Sequence, residues 1–160
     1  MSAITVSRTL PFPVETVWEK LADFGGIHRF SAGVEHSPIN AGTPATGVGA
    51  ERNCKLYDGN NLQERITEFV VNERLAVEIF ETSMPLAKAG GRFELKALPD
   101  GGTHLSMTME YSVKYGPLGW MMDAMMMRRM MTNNLGNLLA ALGHHMTTGE
   151  NIEKGWKRSA

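Results

Sequence analysis

Between residues 34 and 115 the chain keeps returning to one pattern, a stretch of alternating apolar and polar side chains, most of the stretches separated by short turns. They fall at 34–39, 49–57, 61–71, 75–81, 91–98 and 104–115. A period of two gives a strand one apolar and one polar face. Turns such as Asp58-Gly59-Asn60, Asn72-Glu73 and Pro99-Asp100-Gly101-Gly102 pair neighbouring strands as antiparallel hairpins. A seventh strand comes first, Ile4-Thr5-Val6-Ser7-Arg8-Thr9-Leu10, stopped by Pro11 and Pro13. Seven antiparallel strands with one apolar face need a cover on that face.

Helices supply the cover. Pro13 suits the first turn of a short amphipathic helix in which Val14, Val17, Trp18 and Leu21 recur at helical spacing while Glu15, Glu19 and Lys20 face water. Asp23-Phe24-Gly25-Gly26 breaks it, and residues 26–30 make one further turn before Gly33. The long closing segment, residues 116–146, is a helix with seven of the twelve methionines between Met121 and Met131. Trp120, Ala124, Met127, Met131, Leu135, Leu138, Leu142 and His145 form one stripe, which Met121, Met122, Met125, Met130 and Leu139 broaden. Methionine is flexible and polarizable, so such a face suits a variable guest. Three uses of the surplus width stay open: covering a ligand, contacting a second copy in a homodimer, or filling core.

The length of 160 residues predicts one domain, able to bury a substantial core without staples. Polar composition from Thr147 onward predicts a tail without fixed structure, so the domain is read as 1–147 and the tail as 148–160. Lys and Arg number 16 against 17 Asp and Glu, a balance that offers no broad field for nucleic acid. Asp123, Arg128 and Arg129 interrupt the closing helix well short of the roughly 18 apolar residues of a membrane span, so stable membrane insertion is not expected. A single cysteine, Cys54, and a start without a continuous apolar stretch predict a cytoplasmic location.

Alternation also assigns faces. Phe93, Leu95 and Ala97 share one side of their strand; Leu105, Met107, Met109, Tyr111 and Val113 share one side of the next, and both sets are expected to point toward the long helix. Arg92, Glu94, Lys96, His104, Ser106, Thr108, Glu110 and Lys114 then face water. In the hairpin of residues 49–71 the same rule turns two charges inward: Arg52 lies in phase with Cys54 and Leu56, and Glu64 with Leu62 and Ile66. A three-residue turn at 58–60 sets Cys54 opposite Glu64 and Leu56 opposite Leu62, with Arg52 diagonal to Glu64 at roughly 7 to 8 Å. Two readings of the pair stand, a polar anchor for a ligand in an apolar pocket and a structural ion pair. Tyr111 has the same two readings, ligand contact or strand anchor, while Trp18 is a brace between the first helix and the sheet.

Catalytic and metal signatures are weak. His144 and His145 diverge by about 100 degrees on a helix and cannot share a metal. His28 has no identifiable carboxylate or nucleophile partner, and Cys54 reads as a small buried hydrophobe. No phosphate loop, nucleophile elbow or spaced ligand cluster stands in the sequence, so no cofactor and no metal are expected.

The order of one strand, two short helices, six strands and a long helix resembles the helix-grip fold. The segments Val6-Ser7-Arg8-Thr9-Leu10-Pro11-Phe12-Pro13-Val14-Glu15-Thr16-Val17-Trp18, Asp23-Phe24-Gly25-Gly26-Ile27-His28-Arg29-Phe30, Gly47-Val48-Gly49-Ala50-Glu51-Arg52, Glu64-Arg65-Ile66 and Gly116-Pro117-Leu118-Gly119 look like those of the START-like (SRPBCC) superfamily, within it the polyketide cyclase/dehydrase and lipid-transport group. The resemblance implies an α+β fold with a seven-stranded curved antiparallel sheet around the C-terminal helix, and a cavity between them. The function expected is binding of a small or medium hydrophobic ligand, lipid or polyketide-like. The expected lining is Arg52, Glu64, Phe93, Leu95, Met107, Met109, Tyr111, Met127 and Met131. Two alternatives stand beside it: a cyclase-like enzyme using Arg52, Glu64 and Tyr111 in the same cavity, and a protein-interaction module using the Met-rich helix.

Overall fold

The computed structural model describes residues 2–114 and 117–159, and of residues 117–123 only the backbone. Seven strands, β1 (Ser2–Leu10), β2 (Val34–His36), β3 (Glu51–Leu56), β4 (Asn61–Val70), β5 (Arg74–Thr82), β6 (Leu86–Ala97) and β7 (Thr103–Val113), form one antiparallel sheet. Two α-helices, α1 (Val14–Ala22) and α2 (Pro117–Thr148), and a 3₁₀ segment, Phe24–Arg29, complete the chain. The sheet order is β1-β7-β6-β5-β4-β3-β2, so every hairpin joins sequence neighbours and β1 closes onto the last strand. This is an α+β arrangement of a seven-stranded sheet and a C-terminal helix.

The sheet is one-sided as alternation requires. Phe93, Leu95, Leu105, Met107, Met109 and Tyr111 are buried, while their outer neighbours pair in polar contacts such as Thr5 with Thr108 and Ser7 with Ser106. Ala97, at the end of β6, is exposed. Pro13 caps α1 through its carbonyl, which accepts from Thr16 N and Val17 N. Val17, Trp18 and Leu21 face the sheet, where Trp18 meets Phe69 edge-on at 5.0 Å. The helix α2 runs along β1: Arg128 Nη1 donates to Ala3 O at 3.3 Å near one end, and Gly143 lies against Leu10 near the other.

Four local expectations change, the first being β6, which starts at Leu86 and not at residue 91. The second helical turn starts at Phe24, earlier than residue 26, because Gly26 N already bonds Asp23 O in 3₁₀ fashion. The strand β2 ends at His36, since Pro38 has no N–H to give and Ile39 makes only an isolated bridge to Arg52. The β3–β4 register is shifted by two residues from the expected one: Arg52 stands directly opposite Glu64, and Cys54 opposite Leu62. The loop does have three residues, but they are Tyr57, Asp58 and Gly59. Gly59 N bonds Leu56 O, Leu56 N bonds Asn60 O, and Gly59 takes φ +92°, the type I turn closed by a left-handed residue in which glycine must come last.

The segment after α2 folds back on the body. Ile152 is buried and its N–H bonds Arg29 O, Asn137 Nδ2 donates to Trp156 O, and His144 packs on Trp156 at 5.3 Å. Arg158 lies over Gly136, where a Cβ would meet its guanidinium.

Candidate functional site

The register places five inward residues of five adjacent strands in one line across the sheet. Arg52 on β3 stands opposite Glu64 on β4, Glu64 opposite Ile79 on β5, Ile79 opposite Ala89 on β6, and Ala89 opposite Tyr111 on β7. The ends of the row are polar and buried; its middle, Ile79 and Ala89, is apolar and only half-buried. Beside it the next row contains Met109, Gly91, Val77 and Ile66, in which Gly91 contributes no side chain. A Cβ there would come 3.4 Å from Met107 Cε, so the flexible methionine side chain takes the place that the glycine leaves.

At one end of the row Arg52 Nε donates to Glu64 Oε2 at 2.6 Å, with 7% and 11% of the two side chains exposed. Arg52 Nη1 donates to Phe24 O at 2.9 Å, and the guanidinium lies over the Phe24 ring at 3.9 Å. The 3₁₀ segment therefore holds the arginine from one side, through both a carbonyl and a π-face. Cys54 Sγ, 3.5 Å from Glu64 Oε2, is a buried thiol whose pKa is pushed up by burial and then by the Glu64 charge. Buried and with its proton held more tightly, it has the character of a small hydrophobe and weak donor. Among the described residues no hydrogen bond ends on Arg52 Nη2 or Glu64 Oε1. Among the described residues the buried side-chain polar atom left wholly without a partner is elsewhere, Asn53 Oδ1.

At the other end stands Tyr111, separated from Glu64 by the β5 and β6 strands, three strand spacings or roughly 14 Å. The two proposed polar contributors are on one face, three strands apart along the row. Met107, Met109 and Phe93 lie inward beside this row, and Leu95 lies further along, opposite Leu105. On α2, Met131 is buried and Met127 half-buried, whereas Met125 and Met130, expected to widen the inward stripe, are exposed, as is Met126. Trp120, Met121 and Met122 have side chains outside the described residues.

The histidines have local partners. His28 Nδ1 lies 2.8 Å from Ser37 Oγ, and His145 bridges Lys20 Nζ and Glu150 O. Among the described residues no group of three acidic, His or Cys side chains could hold a metal, and no helix is long and apolar enough to cross a membrane. Sequence reasoning missed Ile79, Ala89, Gly91 and Phe24. The run Ala89-Gly90-Gly91 inside a strand was the available signal for the floor; nothing in the sequence links Phe24 to Arg52.

Solved structures support the fold. A protein from Thermus thermophilus superposes with a TM-score of 0.75 at 16% identity, covering 92% of this chain and 99% of that one. A START superfamily protein from Mycobacterium smegmatis gives 0.74 at 14% identity, with coverage of 91% and 97%. A Thermobifida fusca protein gives 0.71 at 20% identity, with coverage of 96% and 98%. No curated protein matches the chain in sequence. The family pattern described as polyketide cyclase / dehydrase and lipid transport matches residues 1–143, and the chain belongs to that family.

Proposed function

We propose that the protein binds an elongated, largely apolar molecule along the inward row, with its polar end at Arg52 and Glu64 and its body over Ile79 and Ala89 toward Tyr111. The row itself carries this reading: a buried charged pair, then half-buried apolar floor, then a buried tyrosine, all on the inward face of the sheet. Ligand sites have this composition, mostly apolar with a few fixed polar groups. Phe93, Met107 and Met109 form the sheet wall, Leu95 marks where that wall meets the sealed leucine end, and Met127 and Met131 form the helix wall. Membership in a family that includes lipid transport agrees with it.

A cyclase-like reaction is less well supported. General acid–base work needs both groups within hydrogen-bond reach of the reacting atoms, and the backbones at Glu64 and Tyr111 are three strand spacings, roughly 14 Å, apart. Along an elongated guest the two would meet different parts of it.

Native mass spectrometry after equilibration with a lipid extract tests the binding reading. Wild-type protein is expected to retain small-molecule adducts, and both Ile79→Trp and Gly91→Val to lose most of them while melting as folded proteins. An absence of adducts, or adducts equal in all three, would overturn it.

A further inference from the structure

Among the described residues the polar end of the row keeps unused hydrogen-bonding capacity, and its chemistry restricts what can dock there. Arg52 has committed Nε to Glu64 and Nη1 to the Phe24 carbonyl, and one face of its guanidinium to the Phe24 ring. Glu64 has committed Oε2 to Arg52 and to the Cys54 thiol. What the pair still offers, among the described residues, is a donor at Arg52 Nη2 and an acceptor at Glu64 Oε1. The charges cancel within the pair, so this end carries no net charge to favour an ionic head group.

Resting on the binding reading above, we infer that this end selects a neutral terminus carrying an acceptor and a donor side by side, a primary amide or a hydroxyl next to a carbonyl, in preference to a carboxylate. An amide answers both groups, its carbonyl accepting from Arg52 Nη2 and its N–H donating to Glu64 Oε1. An ionised carboxylate has only acceptors and brings a second negative charge against Glu64. An ammonium satisfies Glu64 but faces Arg52. With both side chains about nine-tenths buried, a donor or acceptor left unanswered, or a like charge, is penalised far more than at the surface. Sites built from paired buried polar groups discriminate by that penalty.

Isothermal titration calorimetry at neutral pH with decanamide and decanoate, which share one hydrocarbon chain, decides the matter. Wild-type protein is expected to bind decanamide at least about tenfold more tightly than decanoate. Glu64→Gln removes the compensating charge and is expected to move the preference toward decanoate. Decanoate binding equal to or tighter than decanamide on the wild type overturns the head-group inference while leaving the apolar site intact. No heat from decanamide, decanoate or decanol would remove the site and the inference together. The wild-type ratio is decisive by itself if Glu64→Gln does not fold.

Discussion

The two ends of the inward face differ in closure although both are built from apolar side chains under one helix. Where α2 nears its C-terminus, Leu10, Leu105, Leu139 and Leu142 are 0–1% exposed. Toward its start, Met107, Met109 and Met131 keep 7–8%, Met127 is half-buried, and the adjacent floor of Ile79 and Ala89 is only half-buried. The leucine end has the sealed packing of a core, and the methionine end pairs a pliable residue with small ones, Ala89 and Gly91. One end thus has the packing that fixes the fold, and the other is where the proposed guest would lie.

Substitutions at four places test that contrast. The largest effect is expected at the charged pair: Arg52→Met alone strands Glu64 in a buried setting and should cost about 3–5 kcal/mol in urea unfolding. Adding Glu64→Leu should recover much of that loss. If the single and double variants are equally unstable, the charge pairing is not what holds this corner. Next, Leu105→Ala should cost about 2–5 kcal/mol as a sealed cavity, while Met109→Ala should fall at or below the low end of that range, about 2 kcal/mol. Equal losses at the two positions would erase the distinction between the ends.

A smaller effect is expected from pH at Cys54. Its folded-state pKa is raised, mainly by burial, so the unfolded chain releases the thiol proton first as pH climbs past the ordinary value of 9.0. Stability from this group is therefore complete below that value and declines above it. Cys54→Ala should flatten the alkaline loss relative to wild type, and the native thiol should resist alkylation at neutral pH. An identical alkaline slope in both proteins would contradict the burial. The smallest effect is expected on the outer side of α2, where Met126 is 71% exposed. Met126→Glu should change stability by less than about 0.5 kcal/mol. A larger loss, accompanied by a fall in mass in light scattering, would mean that a second copy covers this surface.

Much of this contrast could be read from the sequence because strand periodicity assigns faces independently of register. Phe93, Met107, Met109 and Tyr111 are inward for that reason, and so are Arg52 and Glu64 despite the shift in register. The pairing itself depended on where a three-residue loop begins. Its left-handed residue had to be Gly59, a constraint of turn geometry that the alternation of flanking residues does not encode. The width of the α2 stripe misled in another way: composition marks Met125 and Met130 as apolar, but the sheet edge at β1 sets how much of the helix can be covered. Contacts between distant segments, such as Phe24 under Arg52 and Ile152 bonded to Arg29, leave no periodic trace at all.

The most direct test is a methyl-labelled NMR experiment with bound decanamide. Intermolecular NOEs are expected from its chain to the methyl groups of Ile79, Ala89 and Met109, with none to Leu105 or Leu142. NOEs confined to the exposed Met125 and Met126 methyls, or spread equally over both ends of the inward face, would contradict an open methionine end above the row from Glu64 to Tyr111.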